Sequence, residues 1–314
     1  MILKRNFSPL KVWTFIQNSM LFSIFWSFAV WAIITFGGFT NFSINFAITG
    51  VLGSALAIFI AFRNNSAYSR WWEARTAWGN IENSARVLAR LVITFTDSHS
   101  HKPSYKFERA ENFKIEMINK IIAWVHSLRL SLRNQSFDEL KNYLSDQEFA
   151  AVTQTDNITL NIQLLTGKRI YKAMSDETLA GFDSFQMEGQ LLSLSNAQSV
   201  CERIKKTPLP RQYDFFTRLF VLIYLFILPL GTMSFFLTPG LSNLSFLGAI
   251  LSIIISAVFV IMERTGAANE DPFENKVTDV PLTAICNSIE RDLLRMLGDK
   301  SVPEKYYPEN GYLF

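Results

Sequence analysis

The residues that could act on a solute lie in an uncharged apolar segment, not around a nucleophile or a metal. From Asn45 to Phe62, small and apolar residues recur at every fourth position: Gly50, Ser54, Ile58 and Phe62. Side chains four positions apart lie on one face of a helix. If several copies of such a helix turn this face towards a common axis, Ile58 and Phe62 form a narrow hydrophobic constriction, which can gate ions by dewetting. The pattern therefore indicates passage of ions.

The same spacing has a second interpretation, which is close packing of helices in lipid. Small residues four positions apart let two helices approach closely. Gly53, Ala57 and Ala61 form another such line beside the first. The two interpretations differ in one expectation, because a pore-lining face is not covered by the chain's own helices, whereas a packing face is buried within one subunit.

Motifs of catalytic and metal sites are absent from the sequence, which has no GxxxxGK[ST], GxGxxG, HExxH or GxSxG pattern. His99 and His101 precede Pro103 in a polar stretch and are predicted to lie in a solvated loop. His126 lies within an apolar helical stripe and is predicted to be a core or interface histidine. The apolar runs contain no ionisable residue, which argues against an intramembrane enzyme or a proton-coupled transporter. We predict no enzyme activity, no cofactor and no metal.

Four uncharged runs are long enough to cross a membrane. Charged residues make up only 18% of the 314 residues and apolar residues 49%, whereas soluble chains are about a quarter charged. Each run is about 17 to 19 residues long, near the roughly 20 that a hydrocarbon core requires. They are Met20 to Phe36, Asn45 to Phe62, Leu219 to Leu237 and Leu244 to Met262. A cleaved signal peptide fits the first run poorly, because no cleavage-like site follows it. We predict an integral membrane protein with two helical hairpins.

The basic residues beside these runs predict the orientation. They precede the first and third runs and follow the second and fourth: Lys4, Arg5, Lys11, Arg63, Arg70, Arg75, Arg211, Arg218 and Arg264. Because basic residues accumulate on the cytoplasmic side, both termini and the long middle segment are predicted to be cytoplasmic, in a multi-pass protein of the plasma (inner) membrane. The net charge of +3 is too small to indicate nucleic-acid binding. Cys201 and Cys286 are predicted to be free thiols.

The chain is predicted to be all-α and to divide into four segments. These are an N-terminal segment with the first hairpin (1–63), a helical cytosolic domain (64–214), the second hairpin (215–262), and C-terminal helices with a tail (263–314). The middle segment is too long for a loop, and its apolar residues recur at helical spacing. One stripe comprises Ile115, Ile118, Ile122, Val125, Leu128 and Leu132. Ser136, with Glu139 three positions later, predicts a capping box.

The second run continues without a break into a helix rich in arginine and tryptophan, which contains Arg70, Trp71, Trp72, Arg75 and Trp78. Residues 71, 75 and 78 share a face, so we expect the guanidinium of Arg75 to lie against the indoles. Glu82 and Arg86 predict an ion pair four positions apart. The tryptophans extend too far past the run for an interfacial belt alone. They favour packing that stiffens the helix and docks the middle segment.

Three motifs resemble the bestrophin family, in particular its bacterial members: "FRNNSAYSRWWEARTAWGN", "CERIKKTPLPRQYDFFTRLF" before the third run, and "DPFENKVTDVPLTAICNSIE" after the fourth. Together they extend the resemblance over essentially the whole chain. It implies a homopentameric ion channel in the lipid bilayer, with one central pore and a helical cytosolic vestibule. It also implies a pore neck at Ser54, Ile58 and Phe62, and a cytosolic aperture near Phe185. The family has an aliphatic residue where this chain has Ser54, so we expect that ring to be wider and wetter.

Animal members of the family are similar to calcium-activated anion channels, with calcium in an acidic run after a Pro-Phe pair. Here Pro272-Phe273 is followed by only Glu274 and Asp279 as acidic residues, with Lys276 between them. Calcium is usually held by several carboxylates, so we predict no calcium dependence.

The predicted function is passive conduction of small monovalent ions. The animal members and the slight basic excess favour anions such as chloride, while the bacterial members leave sodium open. An apolar neck has no charge ring to decide between them. The alternative is a non-conducting membrane scaffold or sensor that binds a cytoplasmic partner through its helical insert.

Overall fold

The computed structural model describes residues 1–4, 9–238 and 240–314, without the side chains of 9–12 and 42. Arg5 and the side chain of Lys11, used above for the orientation, therefore lie outside the described part. Within it, the chain forms helices and no strand, which confirms the all-α prediction. The α-helices of these ranges are α1 (Pro9–Gly37), α2 (Phe46–Ser98), α3 (Phe107–Leu132), α4 (Asp146–Thr153), α5 (Ile158–Ser175), α6 (Gly181–Lys206), α7 (Arg211–Phe236), α8 (Phe246–Ala268) and α9 (Leu282–Leu297).

Four helices are long and apolar enough to cross a membrane: Trp13–Gly37, Phe46–Ser98, Arg211–Phe236 and Phe246–Ala268. Each of them overlaps one of the four predicted runs. The second, α2, has 53 residues without interruption, which corresponds to about 80 Å at 1.5 Å per residue. Because a hydrocarbon core is only about 30 Å thick, the later half of α2 must extend outside it.

The chain folds as two compact units. The span unit contains Lys4–Arg70 and Pro208–Asp271, and the insert unit contains Met1–Leu3, Trp71–Thr207 and Pro272–Phe314. Most of the C-terminal segment that the sequence set apart (263–314), namely Pro272–Phe314, thus belongs to the same unit as the middle helices, whereas 263–271 belong to the span unit. The reason is hydrophobic, since α9 contributes a buried apolar face to the insert core.

The insert core is built mainly from α3, the later half of α2, α6 and α9. Its largest fully buried side chains include Trp78, Phe113, Ile118, Leu128 and Phe273. Ile115 departs from the predicted stripe because it is 44% exposed, whereas the other five members are buried.

Both cysteines are buried and free, as predicted. Burial raises the pKa of the Cys201 thiol and of the Cys286 thiol to about 12. Both thiols are therefore protonated and unreactive at neutral pH.

The predicted capping box at Ser136 and Glu139 is wrong. Residues Asp138–Asn142 form a 3-10 helix without a side-chain cap, and Glu139 instead pairs with the buried Arg129 of α3. The capping box lies one element later, where Ser145 and Glu148 cap α4 reciprocally. A buried cation competes for the Glu139 carboxylate, which sequence spacing alone does not show.

Small and polar residues bring the helices of the span unit close together. A Cβ added at Gly53 of α2 would collide with the ring and hydroxyl of Tyr224 on α7, and one added at Gly231 of α7 would collide with Thr49. The Ser27 and Ser252 hydroxyls, on α1 and α8, are 3.1 Å apart and buried. Such contacts are typical of helix packing in lipid, where apolar burial between helices gives little driving force.

Candidate functional site

The first half of α2 (46–70) has two opposite faces. One face is buried within the span unit and comprises Thr49, Gly53, Leu56, Ile60, Arg63 and Ala67. The other carries the predicted neck residues, and no part of the described chain covers it. Gly50 and Ser54 are exposed there, Ile58 is 59% exposed and Phe62 is 71% exposed. The line of Ser54, Ile58 and Phe62 (the neck line) is therefore not a packing face within one subunit.

The neck line presents one hydroxyl followed by hydrocarbon. Ser54 Oγ donates a hydrogen bond to the carbonyl oxygen of Gly50 at 3.0 Å, so its polarity is partly satisfied by its own helix. Ile58 and Phe62, one and two turns further on, offer only apolar surface. A solute beside them meets no fixed charge.

The buried face fixes the position of the neck line. Gly53 lies against Tyr224, and the side chains of Leu56 and Ile60 pack in one apolar cluster with Leu225, Leu228 and Val260. A close-packed interior resists small displacements. The helix face opposite this cluster is thus held in a defined direction.

Phe185, the predicted aperture residue, lies on α6 and is 74% exposed. Phe182, one turn earlier, is also exposed. Asp183, between them, accepts hydrogen bonds from the backbone N–H of Ala180 at 2.8 Å and pairs with His99 Nε2 at 2.6 Å. The prediction that His99 is solvated is therefore wrong, because it is buried against this carboxylate. His101 is exposed, as predicted.

The arginine–tryptophan part of α2 is mainly structural. Trp78 is fully buried in the insert core, and Trp71 Nε1 donates to the carbonyl oxygen of Thr278 at 3.1 Å. Trp72 is 56% exposed, and Arg70 lies 3.9 Å from Asp271. Within the described ranges, the Arg75 guanidinium has no cation–π contact with these rings. The predicted stacking is absent there, and Trp78 is instead buried in the hydrophobic core of the insert unit.

The predicted ion pair between Glu82 and Arg86 is present at 2.7 Å, and Arg86 also reaches Asp292 of α9 at 2.5 Å. This part of α2 therefore holds α9 by charge as well as by apolar packing.

A buried cluster of charges, which the sequence analysis missed, lies at the ends of α2, α7 and α8. Arg63 pairs with Asp214 and lies 3.4 Å from Glu270 and 3.8 Å from Glu263. Its carboxylates lie 151 to 207 residues from Arg63 in the sequence. The sequence offered one indication of this cluster, because each of its charged residues lies beside a predicted span, where an isolated charge needs a partner.

The two acidic residues after Phe273 do not lie together as ligands. The Glu274 carboxylate pairs with Lys205 at 2.6 Å. The Asp279 carboxylate is buried and accepts the backbone N–H of Lys276 at 3.1 Å, and burial raises its pKa. Among the described residues no group of three or more histidine, cysteine or carboxylate side chains could hold a metal ion. The absence of calcium dependence stays a prediction.

His126 lies in the core, as predicted, and its partners come from distant parts of the chain. Its Nδ1 is 2.9 Å from Glu139, and its Nε2 is 3.2 Å from Glu290 of α9. Burial lowers the pKa of His126, but hydrogen bonds to the two carboxylates outweigh it and the pKa is raised. The same contact holds the pKa of Glu139 at about 2.

The fold and site define an all-helical protein with four membrane-crossing candidates, one of which has an uncovered, uncharged apolar line. The sequence matches the bacterial/fungal bestrophin family over residues 6–295. The chain belongs to this family of membrane channel proteins.

Its relatives agree with this placement. The chain is 31% identical over 301 residues, 95% of this chain and 91% of the relative, to the voltage-dependent anion channel-forming protein YneE of Escherichia coli K12. It is 28% identical to the voltage-dependent anion channel-forming protein alr2987 of Nostoc, over 77% of this chain and 76% of that one. The crystal structure of a bacterial bestrophin homologue from Klebsiella pneumoniae superposes with a TM-score of 0.80 at 26% identity, over 90% of this chain and 99% of that one.

Proposed function

We propose that this chain assembles as a homopentamer in the plasma (inner) membrane and passively conducts small monovalent anions such as chloride. Ser54, Ile58 and Phe62 of each copy form the neck of a central pore, and Phe185 forms the cytosolic aperture. Both termini and the insert unit are cytoplasmic. The number five comes from the resemblance to the family, and the names of the relatives favour anions.

One observation carries the proposal. The Ser54, Ile58 and Phe62 line is uncovered, although the opposite face of the same helix turns is tightly buried. Lipid could cover an apolar line of this kind, but it would not call for a hydroxyl at Ser54 in the middle of a span. A ring of copies around an aqueous passage accounts for both features, since a hydrophobic constriction can conduct when wetted.

The direct test is conduction by the purified chain in planar bilayers. Ile58→Ala and Phe62→Ala are expected to raise single-channel conductance, because a wider ring is wetted more easily. Phe25→Ala on α1 is the matched control, since Phe25 is an exposed aromatic residue outside the line. Unchanged conductance in the two neck variants would contradict their role in the neck. No current from the parent chain under any gradient would contradict the channel and favour the scaffold.

Ser54 gives a second test of the neck. Ser54→Ile is expected to lower conductance, because an aliphatic ring is narrower and drier at that level. Ser54→Ala removes the hydroxyl without adding bulk and separates polarity from width. Equal currents through all three chains would place the line outside the pore.

The sign of the conducted ion follows from the reversal potential under a sodium chloride gradient. Chloride and sodium conduction give reversal potentials of opposite sign. A sodium-selective reversal would contradict the anion part of the proposal and leave the channel part intact. Currents that rise strongly with micromolar calcium would contradict the predicted calcium independence.

Assembly and orientation are tested separately from conduction. The mass in detergent should correspond to five copies, whereas monomers or dimers favour an anchored scaffold. For the orientation, cysteines placed at Thr40 and Ser100, both exposed, should react with an impermeant thiol reagent from opposite sides of the membrane. The native thiols are buried and give little background.

A further inference from the structure

Arg63 is buried in the span unit although it carries a charge, and it directly follows the last neck residue, Phe62. Its Nη1 donates to the carbonyl oxygen of Glu263 at 3.1 Å, and its Nη2 donates to the carboxylates of Asp214 and Glu270. A buried guanidinium is tolerated only where carboxylates and hydrogen bonds replace water. Its planar fork of donors requires particular directions. The contacts therefore define the rotation of α2 at this level.

The partners of Arg63 come from three separate elements. Asp214 lies in the first turn of α7, Glu263 lies near the end of α8, and Glu270 lies just after α8. Arg63, which directly follows Phe62, thus connects the end of the neck line to both helices of the second hairpin, α7 and α8. Successive side chains differ by about 100° around a helix of 3.6 residues per turn. A rotation of α2 that loosened Arg63 would consequently turn the Phe62 ring by the same angle.

Two further features support a fixed clamp. Asn64 Nδ2 donates to the carbonyl oxygen of Met262 at 2.9 Å, and α8 has a glycine opposite it, because a Cβ on Gly266 would collide with the Asn64 amide. Around Glu263 and Asp214, Arg218 and Arg264 bring the cluster to three guanidinium groups and three carboxylates. The three carboxylates are thus matched in number by the buried Arg63 and the two more exposed arginines, Arg218 and Arg264.

We propose that Arg63 is a positioning residue for the neck: with Asp214, Glu263 and Glu270 it clamps α2 to α7 and α8 and so sets the direction of the Phe62 ring. The functional consequence rests on the proposed channel, whereas the position of the ring does not. Arg63 itself faces away from the neck line and does not touch a passing ion.

Glu270 makes the clamp sensitive to protons. Desolvation raises the pKa of Glu270, with Asp271 and Asp214 acting in the same direction and Arg63 and Arg211 opposing it. Protonation of this carboxylate removes one partner of Arg63 and leaves the cluster with an excess positive charge. The groups that face it lie on α2, α7 and the segment after α8. The clamp should therefore loosen as pH falls towards and below the range in which Glu270 titrates.

The test follows the position of residue 62 directly. A nitroxide label on Phe62→Cys is measured in the full-length chain in liposomes, with a label on Phe25→Cys as the matched control on α1. The native cysteines are buried, and burial raises the pKa of each to about 12, so they stay unlabelled. Glu270→Gln is the conservative change, since it keeps the shape and removes the charge. Arg86→Gln removes an arginine from the same helix outside the cluster.

We expect Glu270→Gln to shorten the rotational correlation time of the label at 62 by at least about twofold, with no change at 25 and none from Arg86→Gln. Acidification of the parent chain should produce the same change, and Glu270→Gln should abolish that pH dependence. Asp214→Asn should act in the same direction. If that variant fails to fold, the acid titration of the parent chain still tests the clamp, because it needs no substitution in the cluster.

The outcomes separate the clamp from the channel. Identical spectra at 62 for the parent chain, the acidified chain and Glu270→Gln would overturn the positioning role, whatever the currents show. A label that responds as expected in a chain without current supports the clamp and contradicts the proposed channel.

Discussion

Both halves of α2 bury apolar residues, but the first half also buries a charged one, Arg63, and the two halves expose different kinds of side chain. In the first half (46–70) the buried face contains Thr49, Gly53 and Arg63, while Val51, Ile58 and Phe62 are exposed. In the second half (71–98) the buried face is mainly apolar, with Trp78, Ile81, Leu88 and Val92, and the exposed positions are polar except for Trp72. One continuous helix thus distributes its buried and exposed residues differently in its two halves.

This difference shows that the solvent of each half decides which residues stabilise it. In water, apolar side chains gain about 25 cal/mol per Å² when they are buried, so the second half follows the pattern of a soluble core. Where lipid surrounds a helix, apolar burial gives little gain, and close contacts and paired polar groups hold helices together. The first half of α2 is held in this way, by close contacts and paired polar groups.

The largest expected effect breaks the core of the second half. Trp78→Ala removes a fully buried indole from the insert unit and should destabilise it by about 3–5 kcal/mol, the usual cost for a large aromatic residue. Thermal unfolding of the purified chain measures the loss. Trp72→Ala is the matched control on the exposed face and should be nearly neutral. Equal effects of the two changes would contradict the burial described for this half.

The next effect concerns the charge that the insert unit buries at His126. Its pKa is raised, because the hydrogen bonds to Glu139 and Glu290 outweigh desolvation. Its contribution is therefore complete below the unfolded pKa of 6.5 and lost as pH rises through the higher folded value. The pKa of Glu139 is lowered to about 2, so its contribution is complete above 4.5 and lost as pH falls towards 2.

We expect the insert unit to be most stable between these limits. The alkaline loss should be about 1.5–3 kcal/mol, as for hydrogen bonds to charged groups. Unfolding midpoints measured across pH give the profile, and His126→Gln should remove its alkaline limb. A profile that keeps this limb in His126→Gln would assign it to another group.

A smaller effect breaks the packing of the first half. Gly53→Ala places a Cβ against the ring of Tyr224 and should cost about 1–3 kcal/mol by overpacking. Gly50→Ala, one turn earlier on the exposed line, meets nothing within 4 Å and gains helix propensity. Melting temperatures in detergent should fall for the first variant only. A loss of stability in Gly50→Ala would indicate that another copy packs there.

The smallest effect is expected at the surface of the second half. Glu82→Gln removes the ion pair with Arg86, which keeps its contact with Asp292. The loss should be about 0.2–0.5 kcal/mol and should shrink at high salt. A loss as large as that of Trp78→Ala would show that charge, not apolar packing, holds this half.

Prediction from the sequence succeeded where the feature depends only on the local pattern of apolar residues along the chain. The spans and the all-α fold follow from runs of apolar residues and helical spacing, and the four-residue spacing also places Ile58 and Phe62 on one face of α2. It failed where a side chain met a distant partner, as at His99 with Asp183 and at Glu139 with Arg129. The neck and aperture roles stay predictions.

The sequence by itself determined which segments can enter a membrane and which face of α2 carries no charge, because hydropathy and helical period are local properties of the chain. Only the tertiary structure decided that this face is uncovered, that Arg63 is paired with Asp214, Glu263 and Glu270, and that α9 completes the insert core. The physical reason is that a buried charge and a packed apolar face are stabilised by groups far apart in sequence, and their distances exist only in the folded chain.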